Sequence, residues 1–307
     1  MGAGGLRVRT RRSLLAALIM MSVVTSSQPL AAQEAKQNLG EMIAARQERQ
    51  VSARKSKTSK IIGSIVGVGT ALLCGAGRRG ASDLTRVGCT LAGIAAAYTA
   101  TLIGNKIAKK LKEQDQKKVL AAAGDSLRSG EPRQLQLPES GVSALVSGSG
   151  QPTTREAEVD IFYDTARLTD LSKIRVIAEP YTVKTATNLR AGGSTSARVV
   201  GRLPQNQTMY VAGQVDGQPW YLVSEKVVEG ENSAMMAVGY VHADQLKPAS
   251  ANAGMVGRAP PATVADGRVT AILKCDQIDM NVRDEKGKTT RGTSLLCLGP
   301  QGDPISV

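Results

Sequence analysis

The residues of this chain that could do chemistry are few and widely spaced. Among 307 residues there is one histidine, His242, four cysteines, Cys74, Cys89, Cys275 and Cys297, and one tryptophan, Trp220. A catalytic triad, a histidine-rich metal centre or a phosphorelay each needs an imidazole placed beside a partner. His242 follows Val241 in a strand-like run with no nucleophile next to it. The sequence therefore points to no catalytic residue, no metal ligand and no cofactor, and reads as a non-enzyme.

The cysteines form two close pairs without a C-x-x-C spacing. In an exported chain that pattern favours disulfides over zinc. Cys74 lies near the end of one small-residue run and Cys89 near the start of the next, so an antiparallel helical hairpin would join them; the alternative is two buried thiols acting as small apolar residues. The second pair is a matter of register. If Glu285, Lys286 and Gly287 form a three-residue loop with the glycine left-handed, Cys275 and Cys297 face each other. Counting outward from Asp284 and Lys288 puts them at a non-hydrogen-bonded pair, where side chains approach closest. Ile278, Met280 and Val282 alternate on the face opposite Cys275, and a bulge near Asp276 or Gln277 would shift the phase and undo the opposition.

Composition sets the class of protein. Hydrophobic residues make up 42% of the chain but aromatic ones only 3%, so a single large enzyme-like core is not expected. Arg7, Arg9, Arg11 and Arg12 precede an apolar run from Leu14 to Val24, and small residues stand at Ala31 and Ala32. This is the pattern of a secretory signal peptide over 1–32; Thr10 to Leu15 also resembles a twin-arginine export signal. Loss of that leader, with four arginines and no acids, lowers the formal charge by four, from +13 to +9. A basic exported protein so poor in aromatics lacks the stacking platform of a single-strand nucleic-acid binder. Anionic lipid or cell-wall polymer are its natural acidic partners, unless the charge merely flanks apolar segments.

A polar, basic, helix-permissive segment (33–60) leads into two uncharged runs of seventeen residues, Ile61–Gly77 and Val87–Ile103. As helices each would extend about 25 Å. Gly63, Gly67, Ala71 and Gly75 recur every four residues in the first run, and Ala92, Ala96, Ala100 and Gly104 in the second. Residues four apart share a helix face, so each helix presents a seam free of bulk. Such seams suit a helical hairpin in contact with membrane; the alternative is a small soluble core or an oligomerisation element. A charged amphipathic continuation, Lys106–Lys118, completes the 61–128 segment. Leu111-Lys112-Glu113-Gln114-Asp115 and Pro138-Glu139-Ser140-Gly141 resemble two motifs of the glycine-zipper, rickettsial-type surface antigens of bacterial outer membranes, a resemblance that covers about 60–146. Lys112 departs from the acidic residue usual there, and the family's lipobox cysteine is missing. The resemblance implies an outer-membrane setting without lipid attachment.

Residues 129–177 read as a Gly, Pro, Ser and Gln-rich linker followed by a helical or mixed connector from Glu156 to Ile177. From 178 to 248 short alternating runs are separated by turn residues, as in a small barrel. Asn188-Leu189-Arg190, Gly201-Arg202-Leu203, Trp220-Tyr221-Leu222-Val223 and Gly239-Tyr240-Val241, in that order, resemble the bacterial SH3-like domain. Gly193 stands where a proline is frequent, and Ser224 to Ala237 is longer than a tight hairpin needs. The resemblance implies an all-β module that folds alone and binds cell-wall peptides or protein segments without chemistry. Asn188, Arg190, Tyr210, Trp220 and Tyr240 are the candidates for its binding face. After a linker (249–263), residues 264–307 form a C-terminal hairpin, and Leu298 to Asp303 is similar to the C-terminal segment of the surface antigens.

The expected fold class is thus α+β multidomain: a glycine-zipper helical hairpin, an all-β SH3-like barrel and a C-terminal β-hairpin. The expected function is a non-catalytic tether in the periplasm or outer membrane of a Gram-negative-type cell envelope. Its partners would be membrane lipid, peptidoglycan or an envelope protein, and a second copy through the helical hairpin, with no nucleic acid. A soluble periplasmic adaptor and the targeting part of an envelope hydrolase are the rival readings.

Overall fold

The computed structural model describes residues 38–58, 98–250 and 254–307. The leader, the seam residues Gly63, Gly67, Ala71, Gly75, Ala92 and Ala96, and the Cys74–Cys89 pair lie outside the described residues.

Asn38 opens the first helix, α1 (Leu39–Thr58), by accepting the Glu41 N–H on its side-chain oxygen at 2.8 Å. Leu39 and Met42, three apart on one face, are buried, and each contributes about 2 kcal/mol of apolar transfer. Residues 98–103 are helical, and Gly104 ends them with φ at +85°. A Cβ added at Gly104 would meet nothing within 4 Å. Read from sequence as part of a packing seam, Gly104 is a chain break that needs glycine for its backbone. Ala100 is partly buried against the helical core. Two helices follow, α2 (Asn105–Ala108) and α3 (Glu113–Ser129). Val119, Ala122, Ala123 and Leu127 form the buried stripe of α3, and Gly130, left-handed at φ +74°, terminates it by donating to the Ser126 carbonyl at 2.8 Å.

The stretch read as a linker is a sheet. It carries β1 (Arg133–Leu137), β2 (Val142–Gly148) and the start of β3 (Thr153–Asp164). Its glycines and prolines punctuate turns between strands: Gly141, at φ +64°, closes the β1–β2 hairpin. Leu137, Ala144 and Val146 face the stripe of α3. The connector from Glu156 is strand too, since Val159 and Ile161 are buried while Glu158 and Asp160 alternate outward. The segments carrying the surface-antigen resemblance touch. Asp115, buried at the start of α3, accepts the Ser140 N–H at 2.8 Å and pairs with Lys118 at 3.0 Å, while the Ser140 hydroxyl accepts the Lys112 N–H at 2.8 Å.

Eight elements make the barrel: β4 (Ile174–Val183), β5 (Thr187–Arg190), β6 (Val199–Leu203), β7 (Thr208–Val215), β8 (Trp220–Glu229), β9 (Asn232–His242), a 3₁₀ turn (Ala243–Gln245) and β10 (Leu246–Pro248). Strands pair in the order β9-β8-β7-β4-β10, and β5 joins β6 to β9. Val183, Leu189, Val211, Val223, Val241 and Leu246 fill the interior, together with Leu39 and Met42 of α1. The long Ser224–Ala237 segment continues β8 and β9, past a bulge at Val223/Ser224, to a tip at Gly230 and Glu231. This extension allows Met236 and Ala237 to pair in parallel with Phe162 and Tyr163 of β3.

The remaining strands are β11 (Val264–Asp284), β12 (Thr289–Leu298) and β13 (Pro304–Ile305). With 21 residues β11 extends roughly 70 Å. Along one edge it pairs with β3 and then β2; along the other it pairs with β12 and, at Ala271 and Ile272, with β4. Gly287 is left-handed at φ +78°, and the Asp284 N–H donates to the Lys288 carbonyl at 3.1 Å, so the three-residue loop forms as the sequence requires. Cys275 stands opposite Cys297 and the two are disulfide-bonded. No bulge interrupts β11 against β12. The irregularity lies in the neighbouring strand, where Ser149 to Pro152 stand opposite only Asp276 and Gln277.

Strands dominate the described residues, against the expected helical emphasis. The expected C-terminal hairpin is present as β11 and β12, and its first strand continues as a central spine of the sheet. The barrel is not a free module: the outer face of β7, β8 and β9 packs through Ala212, Trp220, Leu222 and Tyr240 on Val159, Val269, Ala271 and Leu273 of β3 and β11. Excised at Ala178–Pro248 it would expose that face.

Reduction of Cys275–Cys297, or its replacement by a serine pair, is expected to lower stability by about 3 kcal/mol, as the loop-closure model gives for a link across some twenty residues. Thermal melts with and without reductant measure this. Asp115 makes a second prediction. Burial alone would raise its pKa, but hydrogen bonds from Ser140 and Lys118 outweigh burial and hold the carboxyl below its ordinary range. A carboxyl whose folded pKa lies below its unfolded one stabilises the fold above about pH 4 and loses that contribution as pH falls through the folded value. Asp115→Asn should therefore lose stability at neutral pH and show a flatter fall of melting temperature between pH 5 and pH 2 than the parent.

Candidate binding face

The five residues expected on one face are distributed among three environments. Tyr240 on β9 is fully buried, and its hydroxyl accepts the Ser172 N–H at 3.0 Å. Burial raises its phenol pKa despite that bond. Trp220, at the start of β8, is 7% exposed and meets the His242 ring edge-to-face at 5.3 Å between centroids. Gly193 lies against it: an added Cβ would come within 3.4 Å of Trp220 and 3.3 Å of Val215, so a side chain there would require these neighbours to shift slightly. Tyr210, on β7, is buried beside Ala178 and Leu298 with no partner for its hydroxyl, and burial raises its pKa. Only Asn188 is exposed. Arg190 is half-buried and donates to the Ala197 carbonyl at 2.8 Å, closing the 191–198 loop.

Trp220 and Tyr240 are therefore not a ligand platform. They sit on the barrel's outer surface, where β3 and β11 cover them. A signal for this stands in the sequence: Ala234 to Val241 contains no polar residue, whereas a strand with one solvated face alternates. Both faces of β9 are buried, Met236, Val238 and Val241 into the barrel and Ala237 and Tyr240 against the spine.

The barrel has a different aromatic pair, outside the cluster that the spine covers. Tyr181 of β4 and Tyr221 of β8 lie edge-to-face, centroids 5.4 Å apart and planes at 68°. Both are half-buried against the barrel interior. Tyr181 stands between Met209 of β7 and Pro248 of β10, and Tyr221 between Gln214 of β7 and Val241 of β9. Burial, together with the nearby Tyr221 and Glu179, pushes the Tyr181 phenol up to about 12, so it stays a neutral hydrogen-bond donor through the physiological range. The two rings are partly exposed and their hydroxyls interact with each other, and such a pair can stack on a flat ligand group. The sequence offers a signal for them, since neighbouring strand residues face opposite ways and a Trp220 turned toward the spine puts Tyr221 on the other face of β8.

Among the described residues, no group of three or more His, Cys, Asp or Glu side chains could hold a metal ion. His242 lies 3.5 Å from Asp244 and has no nucleophile among its contacts.

Residues 185–247 match the family model of the bacterial SH3 domain. The match spans β5 to the 3₁₀ turn and most of β10, and does not extend to residues 60–146. No match to a curated protein was found.

Trp220→Ala should lower stability by about 3 kcal/mol or more, because it empties a site in the barrel–spine contact. As the sole tryptophan, Trp220 also reports the contact directly: blue-shifted emission protected from acrylamide is expected in the folded protein. Solvent-like emission at full folding would contradict the buried placement.

Proposed function

We propose that the chain is a non-catalytic binding protein of the bacterial cell envelope, and that its barrel takes wall-derived peptide or glycan at the Tyr181–Tyr221 face. The observation that supports this reading is the pairing of the bacterial SH3 match with a partly exposed aromatic pair that lies outside the barrel–spine contact. The signal-peptide pattern and a basic charge support an envelope location and an acidic partner. Membrane contact would come from the small-residue runs of 61–104; no helix among the described residues is long and apolar enough to cross a membrane.

Co-sedimentation of the full chain with purified peptidoglycan sacculi tests the reading. Tyr181→Ala with Tyr221→Ser should weaken retention at least tenfold, about 1.4 kcal/mol, with the disulfide and the Trp220 emission intact. Retention unchanged in that variant, or absent in the parent, would falsify it.

A further inference from the structure

Two adjoining cavities of about 280 and 470 Å³ lie between α1, β3 and the C-terminal turn, the smaller also walled by β8 and β9. They share Arg46, Gln50 and Asp303 as walls, and the larger is within the range, roughly 300–1,000 Å³, of small-molecule sites. Arg46 is fixed from two directions. Its Nη2 donates to Asp266 at 3.1 Å, and Arg49 grips the other oxygen of the same carboxylate. Its guanidinium carbon lies 3.8 Å above the Phe162 ring. Although only 7% exposed, Arg46 leaves its Nε without an acceptor, and Gln301 on the smaller cavity leaves its buried Nε2 without one. Buried donors of this kind are seldom left unpaired.

Asp303 supplies the opposite chemistry. Protein surrounds it closely enough that burial raises its carboxyl pKa, with Arg46 and Arg128 only partly offsetting this, yet its side chain opens onto both cavities. Among the described residues no cation pairs with it, whereas the other charged groups on the larger cavity are engaged: Arg268 with Asp160, Glu156 with Lys173, and Glu158 with Thr270. Lys226 adds a positive group to the smaller cavity beside Arg46 and Gln301. One end of the cleft thus lacks an anion and its middle lacks a cation.

We propose that this cleft binds the zwitterionic end of an amino acid or short peptide, with its carboxylate received by Arg46, Gln301 and Lys226 and its ammonium by Asp303. Phe162, Ile43 and Met235 provide the apolar wall for a side chain. A simple anion would leave Asp303 unpaired and a simple amine would leave the donors unpaired. The site shares no residue with the tyrosine face and stands or falls independently of it.

Calorimetric titration of the full chain with D- and L-alanyl-alanine tests the proposal, with the N-acetyl and C-terminal amide forms of each dipeptide as controls. At least one free dipeptide should bind, and blocking either end should weaken it at least tenfold. Asp303→Asn should bind the free dipeptide as poorly as the parent binds the acetylated one, while Arg46→Lys should keep part of the affinity. The proposal is overturned if neither free dipeptide binds, if the blocked forms bind as well as the free ones, or if Asp303→Asn, melting as the parent does, keeps full affinity. Sacculus retention by the same variants separates this site from the tyrosine face, since Asp303→Asn should leave it unchanged.

Discussion

Between Cys275 and Asp276, β11 exchanges the face it buries. Before that point Val269, Ala271, Leu273 and Cys275 pack toward the barrel; beyond it Ile278, Met280 and Val282 pack toward the helices, and Gln277 is exposed. A continuous strand can do this only where layers cover both of its sides at the crossing, and each layer here is held to that place. The Cys275–Cys297 link fixes β12 on one edge. On the other, the extra residues Ser149 to Pro152 let the polar group of buried Asp276 be satisfied by the Ser149 hydroxyl and the Gln277 N–H. An unsatisfied carboxylate at that position would cost several kcal/mol. The exchange is what allows one strand to organise two cores on opposite sides of the sheet.

The barrel inherits its setting from that spine. Its hairpin is longer than the barrel needs because β9 must reach β3, and its outer face is apolar because β3 and β11 cover it. α1 completes the attachment, burying Leu39 and Met42 in the barrel interior while Arg46 and Arg49 hold Asp266 at the start of β11. Two apolar side chains at about 2 kcal/mol each outweigh the exposed Arg49 bridge, so the apolar pair sets the position of α1 and the ionic contacts orient it.

The parts legible in the sequence were those governed by local rules. Gly287 and the residues around it determine a loop, the loop determines register, and register places Cys275 against Cys297. The ordered short motifs from Asn188 to Val241 mark barrel strands for the same reason. What was not legible depends on partners far along the chain. Glycines and prolines from 129 to 157 look alike in a linker and in turns between strands, and only α3 and β11, covering β2 from two directions, make the difference. Trp220 and Tyr240 look alike on a ligand face and under a covering ribbon. The ribbon lies before and after the barrel in sequence, so no local pattern announces it. Asp115 and Ser140 each belonged to a motif, but their contact is tertiary.

Fusion to the spine also bears on how the two proposed binding sites would act together. A flexible linker would let a barrel-bound ligand and a second site find each other at an effective concentration set by chain length. Here residues 133–164 are sheet, so the tyrosine face and the Arg46–Asp303 cleft are carried on one continuously paired framework. Joint engagement then depends on direction: a ligand whose two ends match the fixed geometry gains the full advantage of linkage, and one whose ends do not match gains none. If both proposed sites bind, a rigid framework would discriminate between ligands by the spacing of their groups, which a freely swinging module would not do.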